Sequence, residues 1–592
     1  MVRVILLTVL TTLTLSFAAA AQTRVVFETP GASADLRDEL AAASLVLQAR
    51  NEGTTASQPL LAAAQADYER LLGVLYANAR YGGIITIRID GREAAAIPGF
   101  SAPKTIREIR IRIQPGPLYR FGTAFAGPLA AGTVLPEGFR RTAPARTGTI
   151  AVAAEQSISA WRDQGHAKAR IADQQITARH GANQLDARLR LDPGPRLTFG
   201  DISVAGNEDV RTARVLKIAG LEEGRTFDPK EIEQAERRLR RTGSFSSVSV
   251  AEAETIGPDN TLPLSIGVVE QTPRRFGFGA EYSTVEGATL SAFWLHRNFL
   301  GGAERFRVDG DISGLGGETG GTDYQFGARY ERPATPKADT DFFAEFQVEM
   351  LDEPDFTSDT GEFTLGFTRY AAEDLTVEGG IGYLYSETTD AFGPETFELL
   401  TLPLGAVLDR RDNALNPTEG YFLDLTTTPF AGLSGTSDGA QLEFDARAYR
   451  TAGNLTFAGR MQLGALFGPS LVESPAFYRF YSGGGGSVRG QDYQSLGVEQ
   501  GGLTTGGRSL LALSGELRAG ISDNIQLVAF ADWGYVGSES FPDFTGDSHA
   551  GAGLGVRYNT GIGPIRLDLA TPVSGDTSAS DFYVYIGIGQ AF

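Results

Sequence analysis

The chain changes its grammar once, near Arg275, and that change limits the fold more than any other feature. Before it, strand-like runs alternate with amphipathic helical runs. After it the helical period is absent, and runs of about ten residues alternate in polarity between turns rich in Gly, Asp, Ser and Thr. Sixteen such runs are predicted, from Arg275–Thr284 through Glu395–Asp409, the eighth, to Asp581–Phe592. An even number is what a closed single-chain barrel needs. Side-chain parity then separates a membrane barrel from a soluble one. In "NLTFAGRMQLGALF", Leu455, Phe457, Met461, Leu463 and Phe467 face one way, and Thr456, Arg460 and Gln462 face the other. An apolar face opposite a face carrying Arg and Gln fits lipid outside and a wet lumen inside. A soluble barrel turns its apolar side inward instead. In the last run Phe582, Val584, Ile586, Ile588 and Phe592 share the lipid-facing parity.

The first part of the chain carries three blocks of about 80 residues built on one plan. The third is clearest. "LTFGDISVAGNEDV" and "RTARVLKIAGL" precede "DPKEIEQAERRLRRTGSFSSVSVAEAE" and "TLPLSIGVVEQ". Asp228 is placed to cap a helix with Pro229 at its first position. Ile232, Ala235 and Leu239 share one face of that helix, and Gly243 stops it. Blocks one and two close on nearly the same words, "PGPLYRFG" and "PGPRLTFG". The expected organisation is a targeting segment at 1–21, α+β modules at 22–115, 116–194 and 195–273, and a barrel at 274–592. The targeting segment is Arg3 followed by "VILLTVLTTLTLSF" and "AAAAQ", with cleavage expected before Gln22.

Charge and composition remove several functions. A formal net charge of −20 argues against nucleic acid, which needs clustered Lys and Arg. Export would permit disulfides, yet the chain has no cysteine, so core and sheet closure must supply its stability. With four scattered histidines, His166, His180, His296 and His549, no His/Cys zinc site can be assembled, and no acidic turn has EF-hand spacing. "GDSH" sets Ser548 beside His549, but adjacent residues in a turn rarely form a nucleophile–base relay. No catalytic residue, nucleotide, metal or other cofactor is expected.

The longest loop runs from Gly468 to Gly507 and contains "YRFYSGGGGSVRG". Its glycines lack the Lys-Ser/Thr and the following helix of a phosphate loop. The aromatics Phe477, Phe480 and Tyr481 give the segment something to pack with, and Arg489 follows the glycines. A buried guanidinium needs partners. Parity supplies two candidates: Glu516 in "LLALSGELRAG" and Asp532 in "IQLVAFADWG" both point to the lumen. Parity alone leaves two readings open, an arginine locked between two carboxylates or ordinary solvated lumen charges.

The motifs now resolve into a resemblance. "RFYSGGGGSVRGQDYQSLG", with Gly483, Gly484, Val488, Arg489 and Gly490, resembles the glycine-rich VRG signature of the outer-membrane assembly superfamily that includes BamA and TamA. "FADWG", with Phe530, Asp532 and Gly534, resembles the F-x-D-x-G strand motif that pairs with that loop. "LDRRDNALNPTEGYFLDL" and "GLGVRYNTGIGPIRLDLATPV" are similar to two further strand pairs of the family, and the chain ends on Phe592. Gln491 departs from the pattern, where an aromatic is usual, and Tyr493 is the expected replacement.

The resemblance implies POTRA modules, a 16-stranded outer-membrane barrel with loop 468–507 folded inward, and Arg489 locked between Glu516 and Asp532. BamA typically carries five POTRA modules and two-partner secretion translocators two, so three modules look most like TamA. The implied function is assembly or translocation of outer-membrane clients, with no enzymatic step. The implied partners are a TamB-like inner-membrane-anchored protein, unfolded client proteins and outer-membrane lipid. Gly587 and Gly589 weaken the last strand, so the seam between the first and last strands is the expected opening. A passive channel or porin is the alternative class, and a BamA-like factor or a two-partner secretion translocator is the alternative within the assembly class.

Overall fold

The computed structural model describes residues 23–592, apart from 285, 318–319, 523, 562, 576–580 and 591. The expected targeting segment, 1–21, lies outside the described residues. The chain forms two compact units. One runs to Phe199 and takes in Gly224–Lys230 and Ile256–Leu262, and the other holds the remainder. No helix among the described residues is long and apolar enough to cross a membrane.

The first unit contains two α/β layers. In the first module, strands Arg24–Glu28 and Glu108–Gln114 pair in parallel, and Ile84–Ile89 pairs antiparallel to the latter. "EIRIRIQ" alternates, so Ile109, Ile111 and Ile113 are buried while the intervening arginines face solvent. These isoleucines pack against Leu60, Leu61, Leu71 and Leu75 of the helix Ser57–Ala77. In the second module the sheet order is Arg120–Gly127, Gln184–Asp192, Arg170–Arg179, with one helix, Thr147–Arg162. Its outer strand, Arg170–Arg179, is exposed along almost its whole length and leaves one hydrogen-bonding edge open.

The third module lies largely in the second unit. Strand Thr261–Glu270 runs between Thr198–Ala205 and Phe245–Glu252, covered by helices Thr212–Ala219 and Pro229–Arg241. Ala235 and Leu239 are buried and Ile232 is half-buried. The Asp228 carboxylate accepts the Lys230 N–H at 2.9 Å, and Gly243 takes a φ of +69°, which ends the helix.

Residues from Arg274 onward close a barrel of sixteen antiparallel strands. The eighth is two segments, Gly393–Thr401 and Leu404–Asp409, both pairing with the seventh (Leu375–Asp390) and the ninth (Gly420–Ser434). The predicted run Glu395–Asp409 is thus interrupted at Leu402–Pro403, because proline has no N–H for the ladder. Outward positions carry Phe278, Phe326, Phe363, Leu527 and Phe582, all exposed, as a lipid-facing surface requires. The last strand is shorter than predicted, Tyr583–Ile588. Phe592 does not continue its lipid-facing row. Gly589 takes a φ of +107°, which breaks the alternation, and Phe592 turns inward to pack on Tyr449 and Ala458 at 6% exposure.

Candidate functional site

The loop between the eleventh strand (Leu455–Phe467) and the twelfth (Ser509–Gly520) is seated by its own aromatics. Tyr478 and Phe480 pack with Leu384, Leu399, Phe430 and Leu466 of the barrel wall. Beside them the buried Arg479 donates to Asp390 (2.6 Å) and to the Thr505 hydroxyl (2.7 Å), pinning the base of the loop. The glycines follow. Gly483 and Gly484 adopt φ of +118° and +88°, a region that side chains disfavour, and the chain there turns toward Val488 and Arg489.

Arg489 is 3% exposed, and each of its three guanidinium nitrogens donates to a carboxylate. Its Nε donates to Asp532 Oδ2 at 2.8 Å and its Nη2 to Asp532 Oδ1 at 3.1 Å, a bidentate grip. Its Nη1 donates to Glu516 Oε1 at 2.8 Å and to Asp568 Oδ2 at 3.2 Å, and its backbone N–H donates to Asp532 Oδ2 at 3.1 Å. The guanidinium also lies 3.6 Å above the Phe530 ring. The thirteenth strand, Ile525–Gly537, therefore uses three alternate inward positions for one purpose. Phe530 carries the guanidinium, Asp532 binds it, and Gly534 makes room. A Cβ at Gly534 would strike Ser482 Oγ and come within 2.8 Å of Val488 Cγ2.

The network extends beyond the pair that parity identifies. Arg518 Nε donates to Glu516 Oε2 at 2.8 Å. Arg557 holds Asp568, through one short contact and one of 3.1 Å, and lies 3.6 Å from Glu516 Oε1. Three guanidiniums thus face three carboxylates, all buried, and the charges balance. Sequence reasoning misses Asp568, Arg518 and Arg557. The alternation test finds Asp568, since Ile565, Leu567 and Leu569 face outward in the same strand.

Gln491 stands where an aromatic is usual, and it is buried as a hydrogen-bonding group. Its amide donates to the carbonyls of Ala550 (2.6 Å) and Ser574 (2.8 Å). Those carbonyls flank a register shift between the fourteenth strand (Asp547–Thr560) and the fifteenth (Gly563–Ser574), where Pro572 stands in the ladder and offers no N–H. Tyr493 joins the aromatic cluster of Phe530, Tyr583 and Tyr585. His549, beside Ser548 in the sequence, turns instead to Ser482 Oγ at 2.9 Å.

The seam between the first strand (Arg274–Ser283) and the last is short. Among the described residues two pairs form its ladder, Tyr282 with Ile586 and Ser283 with Tyr585. The first strand pairs with the second (Gly287–His296) along its full ten residues. The inward loop touches both sides of that seam. Gly485 N–H donates to Glu286 (2.7 Å) just past the first strand, Gly490 N–H donates to the Tyr585 hydroxyl (3.2 Å), and the Tyr583 hydroxyl donates to Asp492 (2.8 Å). Gly587 lies in the last strand and Gly589 just beyond it. Below them Gln590 bridges Arg557 (3.0 Å) and Asn416 (2.8 Å), the latter in the turn that contains "NPTEGY".

The chain is similar to known proteins. A family profile described as "Omp85 superfamily domain" matches residues 298–592, and a POTRA profile described as "Surface antigen variable number repeat" matches 197–271. The chain is similar to the outer membrane protein assembly factor BamA of Nitratidesulfovibrio vulgaris, 24% identical over 411 residues, covering 66% of this chain and 50% of that protein. BamA of Neisseria meningitidis serogroup B is 22% identical over 456 residues, covering 66% and 56%. The chain thus spans about half the length of the curated relatives it matches. Among solved structures, BamA from Haemophilus ducreyi lacking POTRA domains 1–3 gives a TM-score of 0.63 at 16% identity, over 80% of this chain and 99% of that one. CdiB from Acinetobacter baumannii gives 0.52 at 14% identity, over 80% and 90%. At these identities the structural likeness establishes the fold alone. The barrel is an outer-membrane barrel, and the POTRA domain matched at 197–271 is periplasmic. A lipid-facing sixteen-stranded barrel, a POTRA domain before it and a matching family profile give one conclusion: the chain belongs to the Omp85 superfamily.

Proposed function

We propose that this protein is an outer-membrane assembly or translocation factor of the TamA kind, inserting or secreting β-barrel or autotransporter clients without nucleotide or metal. The observation that carries the reading is the seam. Two ladder pairs join strands whose other neighbours are paired along much greater lengths. Among the described residues such a junction is a weak line in the wall, where an incoming strand finds free backbone donors and acceptors. The periplasmic modules contribute a second acceptor, since the exposed edge of Arg170–Arg179 can take a client strand by β-augmentation. Loop 468–507 folds into the barrel and, through Arg489, braces the strands of Glu516, Asp532 and Asp568, the last of which pairs with the seam strand Tyr583–Ile588.

Three modules favour the TamA kind, with a TamB-like inner-membrane-anchored partner. The curated relatives, named as BamA, favour general barrel assembly as the second reading. Cysteines placed at Tyr282 and Ile586 test the seam, and the cysteine-free chain gives a clean background. Oxidation of the pair is expected to stop client assembly and reduction to restore it. Full assembly in the oxidised state refutes lateral opening. Removing the three modules is expected to abolish assembly while the barrel remains in the membrane, and full activity of the bare barrel refutes strand addition. Steady solute conductance through the intact protein would favour a passive channel instead.

A further inference from the structure

Where the seam ladder stops, a side-chain contact takes over. The register pairs Arg566 of the fifteenth strand (Gly563–Ser574) with Gly587 of the last strand. Continuing the seam register by one residue from Tyr282–Ile586 sets Gly587 opposite Glu281. Glu281, Gly587 and Arg566 thus form one row across three adjacent strands. Two strand spacings separate its ends by about 10 Å, a gap an arginine can cross if nothing stands between. Nothing does. The Arg566 guanidinium passes over Gly587 and closes on the Glu281 carboxylate. A Cβ at Gly587 would lie 3.0 Å from Arg566 Nε and 3.0 Å from Glu281 Oε1, inside the contact itself. Arg566 is largely buried and Glu281 is half exposed.

We propose that Glu281, Gly587 and Arg566 form a clasp that sets how readily the seam opens, with Glu281 and Arg566 as positioning residues for client admission. The clasp bridges the last strand without using its backbone. It therefore holds the first strand beside the fifteenth at the rung where hydrogen bonding between the first and last strands ends, and it can be released without breaking a ladder pair. A half-exposed carboxylate is also open to screening, so salt weakens the clasp while leaving the buried Arg489 network largely intact. The clasp rests on the lateral-opening reading and gives it a latch.

The test follows the rate of disulfide formation between cysteines at Tyr282 and Ile586, a measure of seam closure independent of clients. Glu281→Gln keeps an acceptor and removes the charge, and it is expected to slow oxidation several-fold. Gly587→Val, which alters no charge, is expected to do the same by standing in the path of the arginine. The exchange Glu281→Arg with Arg566→Glu is expected to restore most of the rate. Folding of each variant is read from its compact mobility in unheated gels, and where one variant does not fold the other two decide. Unchanged oxidation in every folded variant overturns the clasp, whatever client assays return. Slowed oxidation in the variants together with full client assembly while the Tyr282–Ile586 disulfide holds the seam shut keeps the clasp and overturns the lateral-opening reading.

Discussion

Replacing Asp532 with alanine removes the acceptor of three of the five hydrogen bonds made by Arg489: those from its backbone N–H, Nε and Nη2. Glu516 and Asp568 remain, but the buried network then holds three guanidiniums against two carboxylates. Removing one partner from a buried ion pair costs about 3–5 kcal/mol, because a charge is left without compensation. Arg489→Ala inverts the imbalance, two guanidiniums against three carboxylates, and is expected to cost a similar amount. The double variant restores two against two. Simple addition predicts a loss of about 6–10 kcal/mol, whereas the charge count predicts a double variant within about 1 kcal/mol of the worse single. Urea unfolding of the detergent-solubilised barrel, followed by the loss of its compact gel mobility, measures all three. Levels in the membrane are expected to fall in each single variant. Additive losses in the double variant would show that Arg489 and Asp532 do not act as one unit.

The Gly534 position makes a steric prediction with no charge in it. Gly534→Val drives a side chain into Ser482 and Val488, so loop 468–507 is expected to lose its seat and become cleavable by protease, with a stability loss of about 1–3 kcal/mol. A loop as resistant as wild type refutes the packing argument. A pH prediction concerns the junction of the third module with the barrel. Asp339, in the turn after the fourth strand (Asp323–Arg332), accepts from Arg238 (2.7 Å) and Arg241 (3.1 Å) of the helix Pro229–Arg241. Burial pushes its carboxyl up, and the two guanidiniums outweigh that and hold it below the ordinary Asp value. A depressed folded pKa stabilises the junction above the unfolded value, near 4, and this stabilisation is lost as pH falls through the depressed one. Spin-label distances between that helix and the barrel should therefore stay fixed from neutral pH to about 5 and broaden only in stronger acid. Asp339→Asn should broaden them already at neutral pH.

What could be read in advance, and what could not, divides along one physical line. Signals repeated along a single strand or helix are legible. The alternation of Phe530, Asp532 and Gly534 against Leu527, Ala529 and Ala531 places the first three in the lumen, and the structure has them there. The helical spacing of Ala235 and Leu239 marks a core face for the same reason. Features that depend on register between strands carry no such signal. Arg557 is bound to Asp568 eleven residues away only because a hairpin folds them side by side, and Arg518 enters the network only through Glu516. Phe592 defeats the parity argument because one glycine with positive φ ends the alternation before it. The row of Glu281, Gly587 and Arg566 is the extreme case. Glu281 is separated from the other two by nearly the whole length of the barrel sequence, and the three meet because closure brings the last strand beside the first. In the sequence alone, Gly587 reads as a flaw that weakens a strand. In the closed barrel its missing side chain is the opening through which an arginine reaches across the seam. The same glycine that lowers strand stability therefore permits the contact that offsets it, and a stiffer residue there would give a stronger strand and a looser seam.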